Sequence, residues 1–296
     1  MASQSLKPAP RGALIDIGGR KLHAVRAGPA HGGGPLVLLE AGAFGFSADW
    51  AVVQERLAER GLASLAYDRA GLGLSDPGPK PRDGLAIARD LDALLSASEE
   101  TGRLILCGHS MAGLHVHLYA ARNPGRVAGL VLVDATTPAS MDSRFVSVFV
   151  GQFAGAARLA AWGAGAGLLA PLAGTGLGDQ IGLAGPVGAE KRWAFANREH
   201  NAWASEEVNH WPQDARQARE AGALNPDLPV SVVLAGPADS RNALKNLQMA
   251  PARASRAGRV EHAIGATHAT VLGGKYADAV VRGVEQVRAA SAGENP

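Results

Sequence analysis

LILCGHSMAGL, residues 104–114, is the stretch on which the reading of this chain turns. An apolar run, Leu104-Ile105-Leu106-Cys107, stops at Gly108, and a helix-compatible segment begins at Met111. Between them Ser110 sits among small residues. A strand that turns abruptly into a helix presents a serine hydroxyl at the edge of a sheet. The strained turn leaves little room for side chains two positions before and two after the serine. Gly108 meets that demand. Ala112 adds one methyl group, which predicts a slight tilt of the helix, and Gly113 follows. Ser110 is therefore a candidate nucleophile.

The flanking sequence supplies a sheet for such a turn. Leu36–Leu39, Ala63–Tyr67, Gly129–Val133, Val230–Ala235 and Arg259–Ile264 are short apolar runs suited to buried strands. They alternate with helical spacing at Leu85–Ser98, Met111–Arg122 and Gly274–Ala290, while Ala13–Ile17 and Lys21–Arg26 read as a hairpin around Gly18-Gly19. This alternation predicts an α/β fold, a mostly parallel sheet covered by helices on both faces. Residues 138–228 break the pattern: they hold no convincing strand, several helical stretches, and four of the five Trp and four of the six Phe. They are expected to form a helical cap on a core of residues 12–137 and 229–290, with 1–11 and 291–296 as flexible termini.

Composition narrows the function classes. The chain has 296 residues, 47% of them apolar and 19% charged, and a net charge of +2. No block of like charge suggests a nucleic-acid groove. The single cysteine, Cys107, excludes an internal disulfide framework and any cysteine-based zinc motif. No metal-ligand spacing stands out, and no cofactor is expected. Residues 159–178 carry no charge over the length of a membrane span, but their glycines and Pro171 argue for a soluble helical segment. With no apolar leader at the N-terminus, the cytoplasm is the default location. The oligomeric state is left open, and a small-molecule substrate is the expected partner.

Ligands of such sheets bind at the carboxyl ends of the strands. Glu40, Asp68, Ser110, Asp134, Asp239 and His268 all follow inferred strand ends, so they converge on one edge. A serine needs a base, and the base needs an orienting acid, in the chain order serine, acid, histidine. His268 is the candidate base. Asp239 is placed ahead of its rival Asp134 as the acid; His262 lies within a strand pattern and reads as structural. The backbone N–H groups of Met111 and of Ala43, beside Gly42, are candidate oxyanion donors. His109 reads as a supporting residue rather than a base. Glu40, a carboxylate at a buried strand end, is expected to pair with a cation such as Arg69 and to brace the loop that carries Ala43.

These motifs resemble the α/β-hydrolases from about residue 12 to residue 290. Within them the chain is similar to a subgroup with LEAG (Leu39–Gly42), YDRAGLGLSD (Tyr67–Asp76), GHSM (Gly108–Met111) and LVLVDA (Leu130–Ala135). The resemblance implies a triad of Ser110, Asp239 and His268, oxyanion donors at Ala43 and Met111, and a helical cap at 138–228. Two departures stand out: Glu40-Ala41-Gly42 occupies the place of the usual His-Gly, and Ala112 that of the second elbow glycine. A serine nucleophile argues against the dehalogenases and epoxide hydrolases of this fold, which use aspartate. The expected activity is hydrolysis of a small, neutral, hydrophobic ester, with Phe145, Phe149 and Phe153 facing the nucleophile from one side of a helix. The same groups would also serve a perhydrolase, a lyase, a carbon–carbon hydrolase or a ligand-binding receptor that keeps the triad.

Overall fold

The computed structural model describes residues 7–30, 34–239 and 242–293. The outermost parts of both expected flexible termini lie outside these residues. Strands β1 (Ala13–Asp16) and β2 (Lys21–Ala27) form the hairpin, and Asp16 Oδ1 accepts the N–H groups of Gly18 and Gly19 in its turn. Then follow β3 (Leu36–Glu40), β4 (Ser64–Tyr67), β5 (Leu104–His109), β6 (Val127–Val133), β7 (Val230–Ala235) and β8 (Arg259–Ala263). The described residues form one eight-stranded sheet in the order β1-β2-β4-β3-β5-β6-β7-β8. β2 pairs antiparallel with β1 and β4, and every other pairing is parallel.

β3, β5 and β6 are buried along their whole length, the mark of strands covered on both faces. Their side chains divide by the two-residue repeat of a strand. Ile105, Cys107, Val131 and Val133 join one core, with α1 (Ala51–Glu59) and α8 (Ala277–Ser291). Leu104, Leu106, Leu130 and Leu132 join the other, with α2 (Gly84–Ala97), α3 (Ala112–Arg122) and α7 (Ala243–Ala254). Cys107 is thus a packing residue, and burial raises its thiol pKa.

Between β6 and β7 the chain inserts α4 (Arg144–Gly165), α5 (Gly185–Ala196) and α6 (Arg198–Glu220). Asn197 caps α6, its side chain accepting the His200 N–H at 2.9 Å. Val146, Val150 and Ala157 of α4, Val208, Trp211 and Ala215 of α6, Leu114 and Leu118 of α3, and Met111 just before α3 belong to a third core. The uncharged stretch 159–178 is not one helix: α4 ends at Gly165, and a short 3₁₀ turn at Ala170–Leu172 follows. The glycines of the Asp68–Asp76 loop serve close packing. A Cβ on Gly71 would lie 2.2 Å from the Trp203 ring of α6, and one on Gly73 would lie 2.1 Å from Asp68 Oδ2.

Candidate active site

Ser110 lies between β5 and α3 with a φ of 58°, in the left-handed region that side chains rarely adopt. Two glycines make that turn possible. A Cβ on Gly108 would come within 2.9 Å of Val116, and one on Gly113 within 2.3 Å of the Thr136 carbonyl oxygen. The tightest approach is therefore at Gly113, so Ala112 fits as a fully buried methyl. The backbone stitches the turn to the neighbouring strand: the Ser110 N–H donates to Val133 O and the Thr136 N–H to Ser110 O.

His268 reaches this serine from the loop after β8, its Nε2 standing 2.9 Å from Ser110 Oγ. Its Nδ1 lies 2.6 Å from Asp134 Oδ2. That contact overturns the placement of Asp239 behind the histidine. β6 adjoins β5, so the residue ending β6 is one strand from the serine. Asp134 is turned inward by a φ of 42° and held by its N–H to Val233 O, while its Oδ1 accepts the Ala235 N–H at 3.3 Å. Asp239 lies four residues beyond β7, past Gly236-Pro237, and is exposed. Burial alone would raise the Asp134 pKa, but the hydrogen bond and charge of His268 hold it below the usual carboxylate value. His262 sits within β8, away from this relay.

His109 stands where a supporting residue was expected. Its Nε2 lies 2.9 Å from the His268 carbonyl oxygen, and the two rings are 4.6 Å apart at their centres. Burial first, and then the nearby His268, push its pKa down to about 3, so it stays neutral and donates that hydrogen bond. It anchors the backbone of the histidine that faces Ser110.

The loop after β3 presses directly on Ser110, since a Cβ on Gly42 would lie 2.8 Å from Ser110 Cβ. Among the described residues, the N–H groups of Ala43 and Met111 donate to no protein acceptor. Donors left free beside a nucleophile are what a developing oxyanion requires. Phe44 is left-handed at φ 58°, and its carbonyl accepts from His200 Nε2 of α6 at 3.2 Å. His200 Nδ1 accepts the Gly73 N–H, and burial lowers the ring's pKa to about 4, which fixes that tautomer.

Glu40 is buried, as expected, and its Oε1 accepts from Arg69 Nη1 at 2.6 Å. Its other oxygen accepts from the Tyr67 hydroxyl. Arg69 also donates to the carbonyls of Ala41 and Gly42 and makes a forked pair with Glu207 of α6. Glu40 therefore braces the loop carrying Ala43 through a guanidinium. The sequence reading did not include Glu207, for which no spacing signal exists. Replacing Glu40 by glutamine keeps an acceptor for Arg69 and is expected to be mild. Alanine uncouples a buried ion pair and should cost about 3–5 kcal/mol of stability, with a fall in kcat. Thermal melts and ester kinetics on both variants check this; equal, negligible effects would remove Glu40 from the site. Asp68, by contrast, spends its carboxylate on the Ser47 and Leu74 N–H groups and on His23, a structural use.

A cavity of about 1170 Å³ opens over Ser110 and His268. Phe145, Val150, Phe153, Leu177 and Trp211 contribute to its apolar wall. Phe149 lines it too, and Phe145 and Phe149 are 74% and 50% exposed. Two lysines line it as well. Lys191 Nζ is paired with Asp49 at 2.6 Å, and Lys245 Nζ donates to the carbonyls of Ala235 and Pro237.

Comparison with known proteins bears on the fold. Residues 35–168 match the model of the alpha/beta hydrolase fold family. A protein named "Putative carbamate hydrolase RutD", from Variovorax paradoxus, is 42% identical over 118 residues, which are 38% of this chain and 42% of that one. The chain spans less than half the length of the curated relatives it matches. Among solved structures, the enol-lactonase from Burkholderia xenovorans superposes with a TM-score of 0.63 at 22% identity, covering 91% of this chain and 96% of that one. An epoxide hydrolase from Vigna radiata gives 0.68 at 15% identity, covering 93% and 97%. At such identities the likeness shows the fold alone. The matched segment, the strand order and the helices inserted after β6 agree: the chain has the α/β-hydrolase fold, and its residues 35–168 are similar to that family.

Proposed function

We propose that the protein is a serine hydrolase that cleaves neutral, hydrophobic carboxylic esters through an acyl-enzyme. The observation that carries this reading is the relay from Asp134 through His268 to Ser110 at the floor of an apolar cavity. Ser110 Oγ attacks the ester carbonyl while His268 Nε2 takes its proton. The imidazolium then protonates the departing alcohol, and water, activated by the same nitrogen, releases the acid. Asp134 holds the ring in the tautomer that leaves Nε2 free to accept, and offsets the charge that forms on it. The Ala43 and Met111 N–H groups receive the oxyanion.

The cavity supports the substrate class. Its wall is mainly apolar, no arginine lines it among the described residues, and Lys191 already faces a carboxylate. Labelling with a fluorophosphonate probe tests the nucleophile. A series of acyl chains from acetate to octanoate, with anionic esters and a small carbamate beside it, tests the pocket. Burial of ~0.8 kcal/mol per methylene corresponds to roughly a four-fold gain in kcat/KM per added carbon until the space is filled. A steady fall from acetate onward, or faster turnover of the anionic set, would defeat the apolar-pocket reading.

A further inference from the structure

α4 is an unusual helix for a surface position. Phe145, Val148, Phe149, Leu159 and Trp162 are each between 50% and 74% exposed. Their spacing puts them along one face, opposite the buried Val146, Val150 and Ala157. Leu168, Leu172 and Leu177 extend the exposed apolar surface beyond the helix end. Isolated exposed apolar residues are ordinary, but a continuous patch marks an interaction surface.

The charges around the patch select its partner. From Arg144 to Gly178 the chain carries Arg144 and Arg158 and no carboxylate. Arg158 bonds a neutral acceptor, Asn209 Oδ1, at 2.8 Å, and so keeps its charge uncompensated. The flanking acids are both engaged: Asp142 with Arg219 at 3.2 Å, and Asp179 with the N–H groups of Ile181 and Gly182. An apolar stripe of Phe, Leu and Trp rimmed by arginine is the composition of a helix that lies in the plane of a membrane interface. A second copy of this chain fits less well, because two such faces meeting would bring arginines toward arginines with no acid between them.

We propose that the exposed face of α4 lies flat on an anionic lipid surface and brings the cavity mouth to it. The helix does not cross the bilayer, since Val146, Val150 and Ala157 are committed to Val208, Trp211 and Leu114. Phe145, Phe149 and Leu177 belong both to the exposed patch and to the cavity lining, so the docked surface is continuous with the path to Ser110. Resting on the ester reading above, this makes the substrates lipophilic esters drawn from the membrane rather than from water.

The test uses the full chain with phosphatidylcholine vesicles, with and without phosphatidylglycerol, in a flotation assay. Wild type should float with the anionic vesicles, less so at high salt. The double variant Leu159→Gln/Trp162→Gln, whose side chains lie outside the cavity lining, should bind about ten-fold less. Both proteins should hydrolyse a dissolved acetate ester equally, which also reports that the variant is folded. Turnover of a long-chain ester embedded in the vesicles should fall with binding. Wild type that does not float, or a variant that floats equally, overturns the proposal. So does self-association removed by the variant with no vesicle binding in either protein. Flotation lost only in the variant, together with no fluorophosphonate labelling of wild type, would uphold the docking surface and defeat the ester reading instead.

Discussion

Ser110→Ala is expected to abolish fluorophosphonate labelling and to lower ester kcat by roughly ten-thousand-fold or more, with the fold retained. The size follows from what is removed. The hydroxyl is the atom His268 Nε2 faces at 2.9 Å, and no second hydroxyl is hydrogen-bonded to that nitrogen among the described residues. The turn itself is held by the Ser110 N–H and carbonyl bonds to Val133 and Thr136, which the variant keeps. Melting temperature and circular dichroism should therefore stay near wild type. Activity of the purified variant within ten-fold of wild type would sink the assignment of the nucleophile.

The second large effect separates the two candidate acids. Asp134→Asn should lower kcat/KM by roughly a thousand- to ten-thousand-fold. An amide in that place can donate to Nδ1 and stabilise the wrong tautomer, and it offers no charge to the imidazolium. Asp239→Asn should stay within a few-fold of wild type, because His268 Nδ1 is already engaged at 2.6 Å by Asp134. Measuring both variants on one activated ester decides the matter. A large loss from Asp239 with little from Asp134 would mean that the loop after β7 folds inward in the working enzyme.

The contest between these two residues shows where a sequence stops being legible. The alternation of apolar runs and helical spacing carried the sheet, because burial of a strand on both faces leaves a compositional mark. Gly108 and Gly113 marked the elbow, because backbone crowding tolerates little else there. The acid left no such mark. Asp134 and Asp239 both follow strands, and the choice depends on a left-handed φ and on bonds to Val233 and Ala235 across β7. The phenylalanine triplet was legible in part, since all three rings line the cavity. Four-residue spacing places Phe145, Phe149 and Phe153 on one face, yet says nothing of how far that face extends beyond the cavity into solvent. Arg69 was paired correctly with Glu40 from the cost of burying a lone charge, whereas its second partner, Glu207, lies 138 residues away and became visible only in three dimensions.

That second partner limits how freely this fold can be recombined. Insertions after β6 look like exchangeable parts, to be swapped for another chain's helices when a new specificity is wanted. Here Glu207 of α6 takes both oxygens to Arg69, and Arg69 in turn holds the carbonyls of Ala41 and Gly42. A transplanted insert that brings no carboxylate to this point strands half the valence of a buried guanidinium. It would loosen the loop beside Ser110 even if every pocket contact were copied. Successful chimaeras of this chain must carry the acid across with the helices, so the unit of exchange is the insert together with its anchor.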